Sequence, residues 1–525
     1  MSRYLGKPFA QAQDGENNAV IFDLAYPARG RVDAAVAELR QLHGDDIRLL
    51  PMSGTSCGGG IFQVSKGSAA SVIGLRFDPP PQPLVRSAAR PELTSLGLDE
   101  IIIDADSRQV CAGASITLDQ LNRALAQELG HGFRVPGADL TSYQYAAVGA
   151  TFMTGGMGPQ RRYFSDSVVE ASIFDGVDII GIGGSALQGY AGTYGWSGIV
   201  SAVRCDYYRF PENEIAFALP VVGSPLRLAR LLARLAPYAY LELEPDGVRS
   251  SAGQQDLILG VEHVSVASMR PLLRDRATNA ITRRARELEQ KCAAAAADGL
   301  VFVNGCSARS IDEFLLDLAD EGQSDDYSIA GIGLEFADVF NDPEEMRALR
   351  EAIPYAARMQ SPAGGFVYKN HTDANIRIPV DNVGPVAQQL WQINRNYVDA
   401  VERHFDALAD VDGEVLVYGH LNPYGIDPHN RVTMSSDDET AFAQSRGFLV
   451  EQRAEYYRML AALCENGAAT FIGGEKTADS ELGIYAALGG PENSPTELFE
   501  RFRKQRATVR AARPEFNWRA PETYR

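Results

Sequence analysis

The sequence predicts an α+β protein in two main parts: an amino-terminal domain of small sheets with glycine-rich turns, then a larger α+β domain. Three observations carry that expectation. Short strands alternate with one-sided helices up to about residue 130, glycine-rich turns crowd residues 135–198, and longer helices take over near Pro211. The 525 residues also exceed what one ordinary core holds.

Residues 20–24 read as a strand and 31–42 as an amphipathic helix. A second strand at 47–52 runs directly into Ser53-Gly54-Thr55-Ser56-Cys57-Gly58-Gly59-Gly60. Strands follow at 100–104 and 109–112, and Gly113 then leads into a helix whose Leu118, Leu121 and Leu125 share one face. Residues 135–198 read as short β-like runs between turns, with backbone folded closely around something. Helices are expected at 225–236, 269–297 and 310–321, a strand at 300–304, and a final charged helix at 496–513. The expected domains are 1–212, 213–490, and a segment 491–525 whose helix returns to the first domain.

A net charge of −19 argues against a nucleic-acid surface, because phosphate binding needs clustered Lys and Arg. The polar start lacks the apolar core of a signal peptide, and no stretch approaches the roughly 20 apolar residues of a membrane span. Six scattered cysteines (Cys57, Cys111, Cys205, Cys292, Cys306, Cys464) form no CxxC pair and no iron–sulfur run. Reduced thiols in a cytoplasmic protein are the expectation.

A dinucleotide diphosphate must be neutralised without bulky side chains. Consecutive backbone N–H groups do so, and glycine permits both the dihedrals and the close approach. The strand ending in Ser53–Gly60 meets that need, although a glycine-rich hairpin would account for this loop alone. A second series follows: Pro136-Gly137-Ala138-Asp139, Ala147-Val148-Gly149-Ala150-Thr151, Thr154-Gly155-Gly156, Asp175-Gly176, and Gly192 through Gly198-Ile199-Val200. Two other glycine motifs are decoys. Gly181–Ala186 imitates a dinucleotide fingerprint without a clear helix after it, and Gly473–Thr477 lacks the Gly-Lys pair of a P-loop.

In order and spacing, residues 20–210 resemble the FAD-binding PCMH-type domain of the vanillyl-alcohol oxidase superfamily. The resemblance implies that Ser53, Gly54, Thr55, Ser56, Cys57, Gly58 and Gly59 hold the diphosphate. Pro136, Gly137, Asp139, Gly149, Ala150, Thr151, Gly155 and Gly156 would line the flavin ring and ribityl chain, and Gly198, Ile199 and Val200 the adenine end. Ala150 stands where such domains usually carry a second glycine. The first loop lacks the His that some members link to flavin, which implies non-covalent FAD.

The second half is similar to the cap of the FAD-linked D-2-hydroxy acid dehydrogenases, which act on D-lactate, glycolate or D-2-hydroxyglutarate. That likeness rests on Met346–Pro354 with Arg350, Gly365–Lys369, Ile376–Val380, and Val415–His429 with its two histidines. It implies a ferredoxin-like α+β cap in which Arg350 and Lys369 grip a substrate carboxylate. His420, His429 and Glu475 would hold a divalent metal such as Zn or Mn, with spacing two residues longer than usual between the histidines. Lys476 replaces the expected proton-accepting His, so His420 becomes the preferred base, with Lys476 serving only if desolvated.

The expected activity is therefore hydride transfer from a 2-hydroxy acid to flavin N5. Electrons would then pass to a quinone, a carrier protein or oxygen. A sugar or alcohol oxidase or dehydrogenase on the same fold stays open, as does a catalytically divergent flavin-binding subunit. A homo-oligomer is also left open.

Overall fold

The computed structural model describes residues 9–13, 19–25, 30–52, 71–76, 78–136, 146–157, 162–221, 224–244, 247–251, 256–274, 279–320, 337–359, 365–422, 425–465, 467–473, 478–517 and 520–525. Among the described residues two larger sheets make the amino-terminal part, beside a two-stranded pair of Phe133–Arg134 with Tyr208–Arg209. Ser71–Arg76 lies between Ala19–Ala25 and Ile47–Met52, parallel to both, and Phe9–Gln13 adds an antiparallel edge. Helix Val32–His43 lies against this sheet and buries Val32, Ala35, Val36 and Leu39. The second sheet runs Ile179–Gly183, Val168–Phe174, Ile199–Asp206, Gln109–Gly113, Glu100–Asp104, Leu84–Ser87. Leu49, Ile73 and Leu75 of the first sheet share one apolar core with Ile101, Val110, Ile173 and Val203 of the second. That shared core makes the two parts one unit.

Local chemistry explains the clearest helix. Thr117 caps Leu118–Leu129 by accepting from the Gln120 amide at 3.1 Å, while the Gln120 side chain accepts from the Thr117 amide at 3.1 Å. The helix ends at Gly130, whose φ of 110° a side chain would oppose. Its buried Leu118, Leu121 and Leu125 form the face expected from their spacing.

Glycine-rich residues 135–198 are less strand-like than expected. They contain a helix, Val148–Thr154, most of whose residues have weak helix propensity. Burial overrides propensity there, because Val148, Thr151, Phe152 and Met153 all face the interior. The Gly181 decoy lies on the antiparallel edge strand Ile179–Gly183, in no parallel crossover.

Among the described residues the cap is built on nine strands, eight of them in the order Asp338–Val339, Asn213–Val221, Gly299–Ser307, Asp256–Ser265, Asp412–His420, Gly425–Ser436, Asn375–Arg377, Thr470–Gly473. Phe366–Thr372 pairs with the other stretch of Gly425–Ser436. Helices cover both faces. Phe217 points into a core with helices Pro225–Ala239, Val383–Asp406 and Glu439–Cys464. Its neighbours Ala216 and Ala218 point into another core with Val266–Arg274, Ala280–Ala294 and Pro343–Met359. The single helix expected at 269–297 is thus two. Asn279 caps the second by accepting from the Thr282 amide at 2.8 Å, a start signal inside the expected run.

Helix Thr496–Ala511 contacts the amino-terminal unit: the Gln505 side-chain amide donates to the Ala191 carbonyl at 2.7 Å. Just beyond it, Phe516 packs edge-on against Phe174 and Glu515 pairs with Arg40 at 2.9 Å. Among the described residues no helix is long and apolar enough to cross a membrane, and the five described cysteines are free thiols.

Candidate functional site

Four glycines draw the expected cofactor segments together. Gly155 closes helix Val148–Thr154 with a φ of 67°, and Gly192 has a φ of 76°. A Cβ on Gly155 or Gly192 would stand 2.7 or 2.5 Å from the guanidinium NH2 of Arg501. Gly195, with a φ of 81°, abuts Pro51, and Gly198, with a φ of 142°, fits against Ile173 and Phe174. Pro51 lies in Ile47–Met52, the strand that leads to Ser53. Gly155 and Gly192 therefore meet beside Arg501, and three residues further on the same turn meets the end of that strand at Gly195 and Pro51. Ser53, Gly54, Thr55, Ser56, Cys57, Gly58, Gly59, Gly137 and Asp139 lie outside the described residues.

The described residues of the expected cofactor lining are hydrogen-bonded within the protein. The Gly149, Thr151, Gly155 and Gly156 amides donate to Ala114, Ala147, Phe152 and Thr151 carbonyls at 3.2, 2.9, 3.3 and 2.9 Å. The Thr151 hydroxyl donates to the Ala147 carbonyl at 2.9 Å. A Cβ on Gly149 would stand 2.7 Å from the Ala114 side chain, so glycine there serves helix–strand packing. Ala150 lies on the same helix. Ile199 and Val200 are buried strand residues paired with Phe174 and Ile173. Pro136 is buried, and its carbonyl accepts from the Ser167 hydroxyl at 2.8 Å. These segments offer close backbone approach, while their amide donors are used internally.

Cation chemistry concentrates beside them. The Arg501 guanidinium carbon lies 4.0 Å above the Tyr163 ring. Burial raises the Asp166 carboxyl above its usual range, against the opposing fields of Arg501, Arg162 and Arg377. Arg377 also pairs with Glu497 at 3.3 Å. The cap reaches the same region through Asn375, whose amide contacts the Met157 sulfur.

The cap contributes a buried ionic cluster set by sheet register. Glu262, His420 and Asp427 are directly opposite one another on adjacent antiparallel strands, so all three side chains project from one face. His420 Nδ1 lies 3.1 Å from a Glu262 oxygen, and His429 Nε2 lies 3.3 Å from Asp427. The two imidazoles stand edge to face with centroids 5.1 Å apart, and Tyr418 stacks on His429. Gly419 keeps the strands close, because its Cβ would meet Asp427 and His429 backbone. Asp427 accepts from the Ala374 amide at 2.7 Å, so this cluster and the Asn375–Met157 contact adjoin one another.

Arg350 comes from helix Pro343–Met359 and is fully buried. Its Nε donates to Glu262 at 2.7 Å, its NH2 pairs with the other Glu262 oxygen, and its NH1 donates to Asn304 at 3.3 Å. The expectation that this fork docks a substrate carboxylate is corrected: it holds an internal one. Burial alone would raise the Glu262 carboxyl, but Arg350 and His420 outweigh it and hold it at about 2.

Among the described residues no group of three His, Cys, Asp or Glu side chains is arranged to hold a metal. Glu475 and Lys476 lie outside the described residues. Lys369 sits in Phe366–Thr372 opposite Thr433, about 13 Å along the strand from His429 at ~3.3 Å per residue. Sequence reasoning missed Glu262, Asn304, Asp427 and Arg501. Glu262 had a signal, since a carboxylate inside the apolar run of Asp256–Ser265 is costly unless paired. Arg501 had none, being one of many charges on its helix.

No known family and no curated protein matches the sequence. Solved structures do match in fold. An alkyldihydroxyacetonephosphate synthase superposes with a TM-score of 0.55 at 11% identity, covering 84% of this chain and 72% of that one. A second crystal form of such a synthase gives 0.52 at 12% identity, covering 84% and 73%. BBE-like protein 28 from Arabidopsis thaliana gives 0.50 at 12% identity, covering 94% and 90%. The chain therefore has a mixed helix-and-sheet fold of the PCMH type, a two-part amino-terminal domain followed by an α+β cap.

Proposed function

We propose that this chain is an FAD-dependent oxidoreductase acting on a 2-hydroxy acid. The observation that carries the proposal is the meeting of the Ile47–Met52 strand end, the 192–198 turn and Gly155. Glycine at 155, 192 and 195 lets these segments close on Arg501 and Pro51, which sets a cation where a dinucleotide's diphosphate would need one. Residues and cofactor fit in that respect. Bound flavin would supply a two-electron acceptor for hydride from the substrate's α-carbon.

His420 is the proposed proton acceptor for the substrate hydroxyl. With Nδ1 turned toward Glu262, the ring would take the proton at Nε2. Glu262 orients the imidazole through its contact with Nδ1, and Arg350 keeps Glu262 ionised, acting through it. Lys369 is proposed as a cation for the substrate's acid group, and no step is assigned to a metal. A neutral sugar or alcohol substrate is the second reading, favoured by the commitment of the Arg350 fork to Glu262.

Anaerobic titration of purified protein with 2-hydroxy acids and neutral alcohols tests this. Bleaching of a yellow protein by one hydroxy acid is the expected result, with quinone, carrier protein and oxygen then tried as reoxidants. Bleaching by neutral alcohols alone would select the second reading, and a colourless protein that takes up no FAD would contradict both.

A further inference from the structure

We infer that the carboxy-terminal helix completes the dinucleotide site: Arg501, with Arg162 and Arg377, forms a cationic subsite for the cofactor's diphosphate. The inference rests on the flavin reading above and assigns the charge that this reading leaves unplaced among the described residues.

Position is the first support. The Arg501 guanidinium fills the space over both Gly155 and Gly192, three residues before the glycine that abuts Pro51. It is thus held where the two expected cofactor segments meet. Composition is the second. Arg162 precedes the turn Phe164–Ser167, Arg377 ends the cap strand Asn375–Arg377, and Arg501 lies on helix Thr496–Ala511. Three separate stretches of chain place guanidiniums within electrostatic reach of one carboxylate, Asp166. In a chain of net charge −19, a gathering of arginines at an internal boundary runs against the overall field.

Donor accounting is the third. The Gly149, Thr151, Gly155 and Gly156 amides already donate to carbonyls of the protein. A diphosphate beside these four amides would therefore draw on other donors, side chains among them. A guanidinium carries five N–H groups in a planar fork. Arg501 can keep its stacking on Tyr163, and Arg377 its contact with Glu497, while further N–H groups turn to phosphate oxygens. Nothing in this requires any of the three to lack a present partner.

Flavin-fluorescence titration of the full-length apoprotein tests the subsite, using FAD and riboflavin, which share a ring while only FAD carries phosphates. Arg501→Ala should weaken FAD binding about 30-fold or more, as for a charge-assisted contact, and leave riboflavin binding within about threefold. Arg501→Lys should recover part of the loss. Because Arg501 also packs on Tyr163, Arg162→Gln is the companion variant, with an expected FAD-selective loss of about fivefold. Unchanged FAD affinity in both variants, or equal weakening of both ligands, would overturn the subsite. A wild-type chain that binds neither ligand would instead remove the flavin reading.

Discussion

The two halves of this chain prepare their sites by opposite means. In the amino-terminal unit the candidate site is made by leaving side chains out: Gly155, Gly192 and Gly195 sit in left-handed backbone, where a Cβ would meet Arg501 or Pro51. In the cap it is made by burying charge: Glu262 lies between Arg350 and His420 with almost no solvent contact. A glycine cradle tolerates many ligands but few substitutions. A buried ionic cluster fixes one imidazole geometry and depends on every partner being present.

That contrast can be broken most forcefully in the cap. Arg350→Met would leave Glu262 buried without its counter-ion, and unfolding by denaturant should show a loss of about 3–5 kcal/mol. Adding Glu262→Gln should return part of that loss. If Arg350→Met alone cost nothing, the cluster would not be the buried dependency described.

The second test uses His263, on the other face of the same strand. It packs edge-on against Trp391, and neither ring nitrogen has a hydrogen-bond partner among the described residues. Burial lowers its pKa from 6.5 to about 4. Between those values an unfolded chain takes up a proton that the native chain refuses, so stability falls as pH drops from about 6.5 to about 4. The full loss is about 3 kcal/mol, and His263→Leu should remove it from the pH profile of thermal unfolding.

In the amino-terminal unit the expected effects are smaller. Gly195→Ala puts a side chain at a φ of 81° against Pro51 and should cost about 2 kcal/mol by thermal or chemical unfolding. Thr117→Ala removes a capping box and should cost about 1 kcal/mol by the same measurement. Should Gly195→Ala prove neutral, the backbone there would not be the tight cradle that separates this half from the cap.

Sequence legibility follows the same divide. The strand at 47–52, the strand at 100–104 and the Leu118, Leu121 and Leu125 face were readable because their signals are local periodicities. The helix Val148–Thr154 was not, because tertiary burial selects it against propensity. In the cap, His420 stood out by its Gly-His setting. Its partner Glu262 comes from a strand far away in sequence, and only the pairing register places the two opposite one another. Arg350 was found as a residue but misjudged in role, since nothing local reveals that its fork closes on an internal carboxylate.

Equilibrium binding of FAD to the full-length chain, with Gly195→Val at a matched folded fraction, tests the central claim most directly. One FAD per wild-type chain, and markedly weaker uptake by the variant, is the predicted result. A folded wild-type protein that binds no flavin, or a variant that binds it equally well, would contradict a cofactor cradle at that meeting of backbone.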